Sequence, residues 1–420
     1  MSKRVVVLGA GVIGLMAAHY LRRRDLEVVV VEEAGPERAT TSYGNAGMIV
    51  PSHFVPLAAP GVVLQGIKWM ADPKSPFYVR PRLSPELLSW GWRFWRAGTA
   101  AHVARSAPLL LALNLASRDE YVRLDEELGG GIGLERRGLT MLCATQEGLD
   151  EEARVAEMAK ELGSRAEVLN AAGVRALEPD IELNVVGGVR FPDDAHLDPG
   201  ALMRALQARL VADGVEFRFG AHAIGFERDG ATIRAVSVAA PRQPEAIKGD
   251  AFVLAAGAWT GRLARLLDMH VPMQPGKGYS LTLERPSQRL AVPSILTEAR
   301  VAVTRMGEKL RVGGTMELSG FDERANELRV QGIVEAALRY FPGLSASEFQ
   351  AAPRWHGFRP LSPDGLPYLG LARRYPNLVV ASGHGMMGLS LAPVTGKLVG
   401  ELVAGEPTSL DVRALAVERF

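Results

Sequence analysis

Gly9, Gly11 and Gly14 follow directly on the apolar run Val5-Val6-Val7-Leu8 and open a segment with helical spacing. In that pattern the first glycine permits a tight turn, and the second lets backbone approach a pyrophosphate. The third lets the helix pack closely on the strand. The helix N-terminus then faces the phosphates with its free N–H groups and the positive end of its dipole. A second apolar run, Glu27 to Val31, ends at Glu32-Glu33. A carboxylate at Glu32 accepts hydrogen bonds from a ribose 2′-OH and disfavours a 2′-phosphate, which argues against NADP. A glycine triplet alone would fit any βαβ turn. Strand, turn, helix, strand and acid in succession predict a dinucleotide site.

The choice of dinucleotide follows from what comes next. A nicotinamide enzyme continues its doubly wound sheet with regular βα units. Here the chain leaves after Met48 for a region rich in proline and tryptophan. The cluster Gly383-His384-Gly385-Met386-Met387-Gly388 offers a second close backbone approach, read as leading straight into a helix from about Leu389 to Ala404. A helix dipole aimed at a flavin ring stabilises the negative charge of the reduced form. A flavin therefore fits better than a nicotinamide.

Other chemistries lack their residues. The eight histidines show no HxxxH or HxH spacing, and no Walker sequence is present. Cys143 is the sole cysteine, so neither a disulfide framework nor a thiol metal site is available. Gly388-Leu-Ser390-Leu-Ala392 only faintly resembles a nucleophile elbow, because no strand feeds that turn directly. A formal charge of +1 gives no general case for nucleic acid. The start of the chain has no apolar signal core, and its most apolar later stretch, residues 107–116, is too short to span a bilayer. The expected location is the cytoplasm or a membrane surface facing it.

The elements that must hold these motifs are legible in outline. At 420 residues and 47% hydrophobic content, the chain exceeds one typical core, so two domains are expected. Buried-strand segments near positions 5, 27, 251 and 378 read as one Rossmann-like sheet assembled from separated pieces. Residues 272–320 alternate like an antiparallel sheet. Helical patterns cover 108–128, 149–162, 171–177 and 323–340, and Asp198 with Pro199 marks a capped helix start. The expected fold is α/β (α+β overall): a discontinuous Rossmann-like domain beside an antiparallel-sheet substrate domain. Its segments are 1–52, 198–258 and 353–420 for the nucleotide, and 53–197 and 259–352 for the substrate.

These motifs, with Thr41-Ser-x-Gly-Asn-Ala-Gly47, Ala255-Ala-Gly-Ala-Trp259 and Gly357-Phe-Arg-Pro360, together resemble the D-amino-acid oxidase superfamily of FAD enzymes. Pro56-Leu-Ala-Ala-Pro-Gly61, Pro73-x-Ser-Pro-Phe77 and Gly276-Lys-Gly-Tyr-Ser280 are similar to the bacterial D-amino-acid dehydrogenase subgroup. The resemblance implies FAD as cofactor and oxidative deamination of a D-amino acid, by hydride transfer from Cα–H to flavin N5. The products are a 2-oxo acid and ammonia, or a cyclic imine from D-proline-type substrates, with electrons passing to a quinone or dye. It also implies site residues. Gly9, Ala10, Gly11, Val12, Ile13, Gly14, Glu32 and Glu33 hold the ADP half, and Ala223 meets the adenine. Thr41, Ser42, Asn45, Ala46, Gly47 and Met48 line the flavin, as do Gly385, Met386, Met387, Gly388 and Leu389. Ala256, Gly257 and Trp259 close over the nucleotide.

An amino-acid substrate needs a cation for its carboxylate. Arg359 is the leading candidate, since a guanidinium holds a carboxylate by two parallel hydrogen bonds; the alternative is an ion pair with Asp364. Tyr279 either adds a hydroxyl or is a core tyrosine. His356 either sits near the amine or packs in a loop, and His53 is a weaker candidate. Four of the six tryptophans fall between Pro51 and Gly98, among Lys68, Lys74, Arg80, Arg82, Arg93 and Arg96. That region reads either as a packed lid or as a surface lying on the inner face of the cell membrane, where a quinone is found. Two other functions fit the same motifs: a glycine, sarcosine or D-amino-acid oxidase using O2, and a flavin subunit of a multi-chain dehydrogenase.

Overall fold

Arg4–Leu8 carries four consecutive apolar side chains, as a strand covered on both faces requires, and Val5, Val6 and Val7 are fully buried. It pairs in parallel with Ala251–Leu254 on one side and Glu27–Glu32 on the other. The computed structural model describes residues 2–37, 40–239 and 244–420. Among these, the first sheet has six strands in the order Tyr368–Leu371, Leu378–Ser382, Ala251–Leu254, Arg4–Leu8, Glu27–Glu32 and Glu216–Phe219. Only Tyr368–Leu371 runs antiparallel to its neighbour. Chain order reverses direction at Arg4–Leu8, and ligands bind outside the carboxyl ends of strands at such a switch point.

Helices cover one face of this sheet. Val12–Arg22 packs against the C-terminal helix Ala392–Ala404 and against Pro199–Ala212, whose N-cap Asp198 accepts from the Gly200 and Ala201 amides. A Cβ on Gly396 would lie 2.6 Å from the Met16 backbone, so the two helices touch through main chain. The opposite face is covered by a small antiparallel layer, His222–Asp229, Thr232–Ala239 and Glu245–Lys248. Its Ile233, Val236 and Val238 meet Val6, Leu8, Val29 and Val31.

The second large sheet runs Arg354–Leu361, Gln274–Leu283, Lys309–Leu318, Val301–Met306, Ser294–Leu296, Leu139–Cys143, Gly187–Phe191 and Glu167–Asn170. Phe77–Val79 adds to Lys309–Leu318 off that path. Glu327–Tyr340 packs its apolar side on this sheet through Ile333, Ala337 and Tyr340.

Several boundaries differ from the sequence reading. Arg354–Leu361 falls in the segment read as nucleotide-binding, yet it pairs along its whole length with Gln274–Leu283 in the second sheet. The long helix Ala100–Glu127 begins at a Thr99 cap and runs through Pro108, where the periodicity had suggested a start. Packing of a long helix outweighs the roughly 3 kcal/mol an interior proline costs. The C-terminal helix begins at Ala392, after a short 3-10 turn at Gly385–Met387. The glycine cluster therefore does not lead straight into that helix.

The main-chain contact between the two helices generates a stability prediction. Gly396→Ala should destabilise the fold by about 1–3 kcal/mol, since the added methyl has no room. Gly370→Ala, where nothing lies within 4 Å of the new methyl, serves as the control in denaturant titration.

Candidate active site

The turn after the first strand is built by backbone proximity. Gly9 has φ +108° and donates its N–H to the Val31 carbonyl at 2.8 Å. A Cβ there would lie 2.6 Å from the Ala255 carbonyl oxygen, and one on Gly14 would lie 1.8 Å from the Gly9 oxygen. Gly11 differs. Its φ is an ordinary −70°, and the nearest atom to an added Cβ is Ser42 Oγ at 3.6 Å. Ser42 Oγ accepts from the Val12 amide at 3.0 Å and so tethers the following loop to the helix start. The Glu32 carboxylate accepts from the Ala10 amide at 2.7 Å and the Ala34 amide at 3.0 Å. Lone pairs remain on it for a further donor.

A cavity of about 1940 Å³ opens from this turn and extends to the second sheet. Drug-sized ligands occupy roughly 300–1,000 Å³, so this space suits something larger, or two ligands together. Gly9, Gly11, Val12, Ile13, Glu32, Glu33 and Ala223 line one end. Glu33 also pairs with His222 at 3.1 Å. Thr41, Ser42, Asn45, Ala46 and Met48 line it further along, with Ala256, Gly257, Trp259 and residues 385–389 facing the same space. Three of the expected residues stand behind the wall instead. Ala10 presents its amide to Glu32, and Gly14 packs on Gly9. Gly47, at φ +78°, turns the loop where a Cβ would lie 2.2 Å from the Leu197 oxygen.

At the far end Arg359, Tyr279 and His356 all line the cavity, but they are not equivalent. Arg359 Nη1 donates to the Thr315 carbonyl at 2.6 Å. No carboxylate among the described residues lies within ion-pair distance of it. Asp364, the partner weighed from sequence, instead holds Arg419 at 2.7 and 2.9 Å. Burial alone lowers the Arg359 pKa, to about 10, and the group stays charged at neutral pH. The Tyr279 hydroxyl donates to Glu317 at 2.9 Å and accepts from the Asn326 amide at 3.1 Å. Burial, then the Glu317 hydrogen bond, pushes its pKa up. This hydroxyl is committed within the protein, which corrects the expectation that it adds to a carboxylate site. Lys277 Nζ completes the buried group 3.4 Å from Glu317.

His356 sits opposite Tyr279 in the ladder, with ring centroids 6.3 Å apart. His53 also lines the cavity; its Nδ1 lies 3.0 Å from Ser52 Oγ, and burial with nearby Arg300 lowers its pKa to about 4. It is neutral at pH 7. Trp259 packs edge-on against Phe358 at 5.9 Å, next to Arg359 in the chain.

Two contributors escaped the sequence reading. A Cβ on Gly278 would lie 2.2 Å from Arg359 Nη1, so this glycine provides the seat of the guanidinium. The Trp355 indole lies over Gly44 and Gly357, where a Cβ would meet it at 2.0 and 2.2 Å. The alternation of glycines at 276 and 278 was the available signal, but only strand pairing reveals what each faces.

A family model described as FAD dependent oxidoreductase matches residues 4–402. The chain belongs to this family. Among its relatives is a protein named D-amino acid dehydrogenase from Granulibacter bethesdensis, 34% identical with 99% of each chain covered. Solved structures with the same fold include glycine oxidase from Geobacillus kaustophilus, at TM-score 0.78 and 23% identity with both chains fully covered. L-proline dehydrogenase from P. horikoshii follows at TM-score 0.76 and 17% identity, covering 100% of this chain and 98% of its own.

FAD is the cofactor of this oxidoreductase, and the cavity suits it. Gly11 and Gly388 both line the cavity with ordinary φ, −70° and −57°, and nothing nearer than 3.6 Å to an added Cβ. Neither the backbone nor the protein's own packing requires glycine at these two places. Bare backbone there leaves clearance for a bound group. The acidic end at Glu32 matches a ribose, and a cavity of about 1940 Å³ has room for a dinucleotide.

The seat of Arg359 carries its own prediction. Gly278→Ala should displace the guanidinium, raising KM for a carboxylate substrate about tenfold or more while FAD stays bound, checked by steady-state kinetics and flavin absorbance.

Proposed function

We propose that this FAD-dependent oxidoreductase oxidatively deaminates D-amino acids and passes the electrons to a quinone or dye-type acceptor. The observation that carries the reading is Arg359: a guanidinium inside the fold, facing the cavity, with no carboxylate partner among the described residues. A partly buried cation that faces a cavity with no fixed anion is best satisfied by a ligand that brings one. The relatives' name supports the D-amino acid as substrate.

In this reading residues 1–52, 198–258 and 353–420 supply the nucleotide side and the remainder the substrate side, except that Arg354–Leu361 joins the substrate side through its pairing with Gln274–Leu283. Gly9, Gly11 and Glu32 hold the ADP half, with Ala223 at the adenine. Ser42, Asn45, Ala46 and Met48 line the flavin from one loop, and Gly385 to Leu389 from another. FAD supplies the acceptor for the hydride that leaves Cα, so no protein acid or base is needed for the difficult step. What the chain does is position the substrate. Arg359, held by the Thr315 carbonyl and seated over Gly278, grips the carboxylate and so fixes where Cα lies. Trp259 and Phe358 give that end an apolar wall beside the guanidinium. The substrate nitrogen gives up a proton to solvent and Cα its hydride, and the imine that these two losses leave is hydrolysed by water to a 2-oxo acid and ammonia, or remains cyclic from D-proline.

The acceptor reading rests on a different surface. Helices Val62–Trp69 and Pro85–Ala97 expose Leu64, Ile67, Leu88, Trp92 and Trp95, each more than half accessible, beside Lys68 and Arg96. Arg96 lies over the Trp92 ring at 4.7 Å. Ile67, Leu88 and Trp92 also line the cavity, so this surface is continuous with the site. An apolar face edged with cations suits an anionic membrane surface from which an apolar acceptor can enter.

Two measurements test the proposal. The flavin absorbance of the purified protein, followed anaerobically, should bleach with D-amino acids and not with L-amino acids. Arg359→Ala should raise KM about a hundredfold with FAD retained. Bleaching by L-substrates, steady peroxide formation in air, or an unchanged KM would each overturn a named part. The helix pair is tested separately. Replacing Leu64 and Trp95, which do not line the cavity, with serine should abolish flotation with phosphatidylglycerol vesicles while leaving dye-linked activity intact.

A further inference from the structure

Among the described residues, four that are not glycine have positive φ: Asp25, Asp268, Arg300 and Thr315. Aspartate visits this region readily, but a β-branched side chain there is strained. Thr315, at φ +68°, is the β-branched one. It lies at a bulge in the strand Lys309–Leu318. Gly314 pairs with Tyr279 and Glu317 with Lys277, so Thr315 and Met316 together oppose Gly278 alone. Bulges of this kind re-aim side chains beside functional sites, and glycine is the residue that would adopt this backbone without strain.

The bulge does two things. It turns the Thr315 carbonyl onto Arg359 Nη1 at 2.6 Å, and it places Thr315 among the residues that line the cavity. A glycine would perform the first task equally well, so the side chain accounts for threonine only if it acts in the cavity. The hydroxyl takes no part in any hydrogen bond among the described residues, although the residue is only 6% exposed.

We infer that the Thr315 hydroxyl donates a hydrogen bond to the substrate carboxylate gripped by Arg359, making Thr315 a second binding residue for that group. The inference rests on Arg359 as the carboxylate anchor. A carboxylate offers about four lone-pair positions, and one guanidinium edge fills two. The neighbouring hydroxyls of Tyr279 and Ser280 are committed to Glu317 and to the Gly44 carbonyl. The Thr315 hydroxyl is left uncommitted, on the residue whose carbonyl already orients the guanidinium.

The test uses the FAD-loaded enzyme with D-alanine in steady-state kinetics. Calorimetry adds 2-methylalanine, which has no Cα–H and cannot be oxidised. Thr315→Val keeps the shape and the β-branch but loses the hydroxyl. It should raise KM and weaken 2-methylalanine about tenfold or more, with kcat little changed. Thr315→Ser should restore both to near the parent values. Thr315→Gly, free of strain, should remain folded yet bind as weakly as the valine variant. If the valine and glycine variants bind both ligands as the parent does while Arg359→Ala binds neither, the hydroxyl has no such role. If Arg359→Ala also binds normally, the carboxylate anchor itself is misplaced and the inference falls with it.

Discussion

Main chain touches main chain where the first strand ends, and most of the molecule is arranged around that contact. Gly9 lies so near the Ala255 carbonyl that no side chain fits between them. The ends of Arg4–Leu8 and Ala251–Leu254, whose first paired residues are Val5 and Ala251, are thereby held side by side although they lie far apart in the chain. A crevice opens above them, at the point where the strand order reverses. Everything that lines the nucleotide end, from Glu32 to Ala223 and Gly257, reaches it from the carboxyl ends of this sheet or from the layer covering it.

The second sheet answers a different problem, which is how to keep a cation inside a protein without a fixed partner. Arg359 is seated by an absence, the missing side chain of Gly278, and oriented by the carbonyl of a strained residue, Thr315. The neighbouring buried cation is treated in the opposite way. Lys277 is satisfied by Glu317 and by the carbonyls of Asp322 and Arg324, and Tyr279 closes that group. Adjacent residues of one strand thus frame a charge-satisfied wall and a charge left for a ligand. The first charge is balanced within the protein, and the second has no carboxylate among the described residues to balance it.

Residues acting through local chain geometry were legible without the fold. The glycine turn, the acid at Glu32, the capped helix at Asp198 and the buried strands near 5, 27, 251 and 378 all follow from spacing and residue type. Boundaries were poorer where long-range packing overrides local preference. Pro108 sits inside a helix, and Arg354–Leu361 belongs to the sheet of its pairing partner rather than to its neighbours in sequence. For single side chains the pattern repeats. Arg359 was recognisable from its motif, but its freedom from Asp364 was not, because that depends on where Arg419 arrives from the far end of the chain.

Residue order alone specifies a dinucleotide and the strands that carry it, because a pyrophosphate-binding turn is a local backbone problem whose solution is written in glycine spacing. Which polar groups at the far end remain available to a substrate is set by the folded arrangement. Availability is a balance of partners, and those partners come from strands distant in sequence: Glu317 occupies Tyr279, Arg419 occupies Asp364, and Gly278 makes room for Arg359. No spacing rule encodes that balance, since each hydrogen bond is set by register and approach across a sheet rather than by order along the chain.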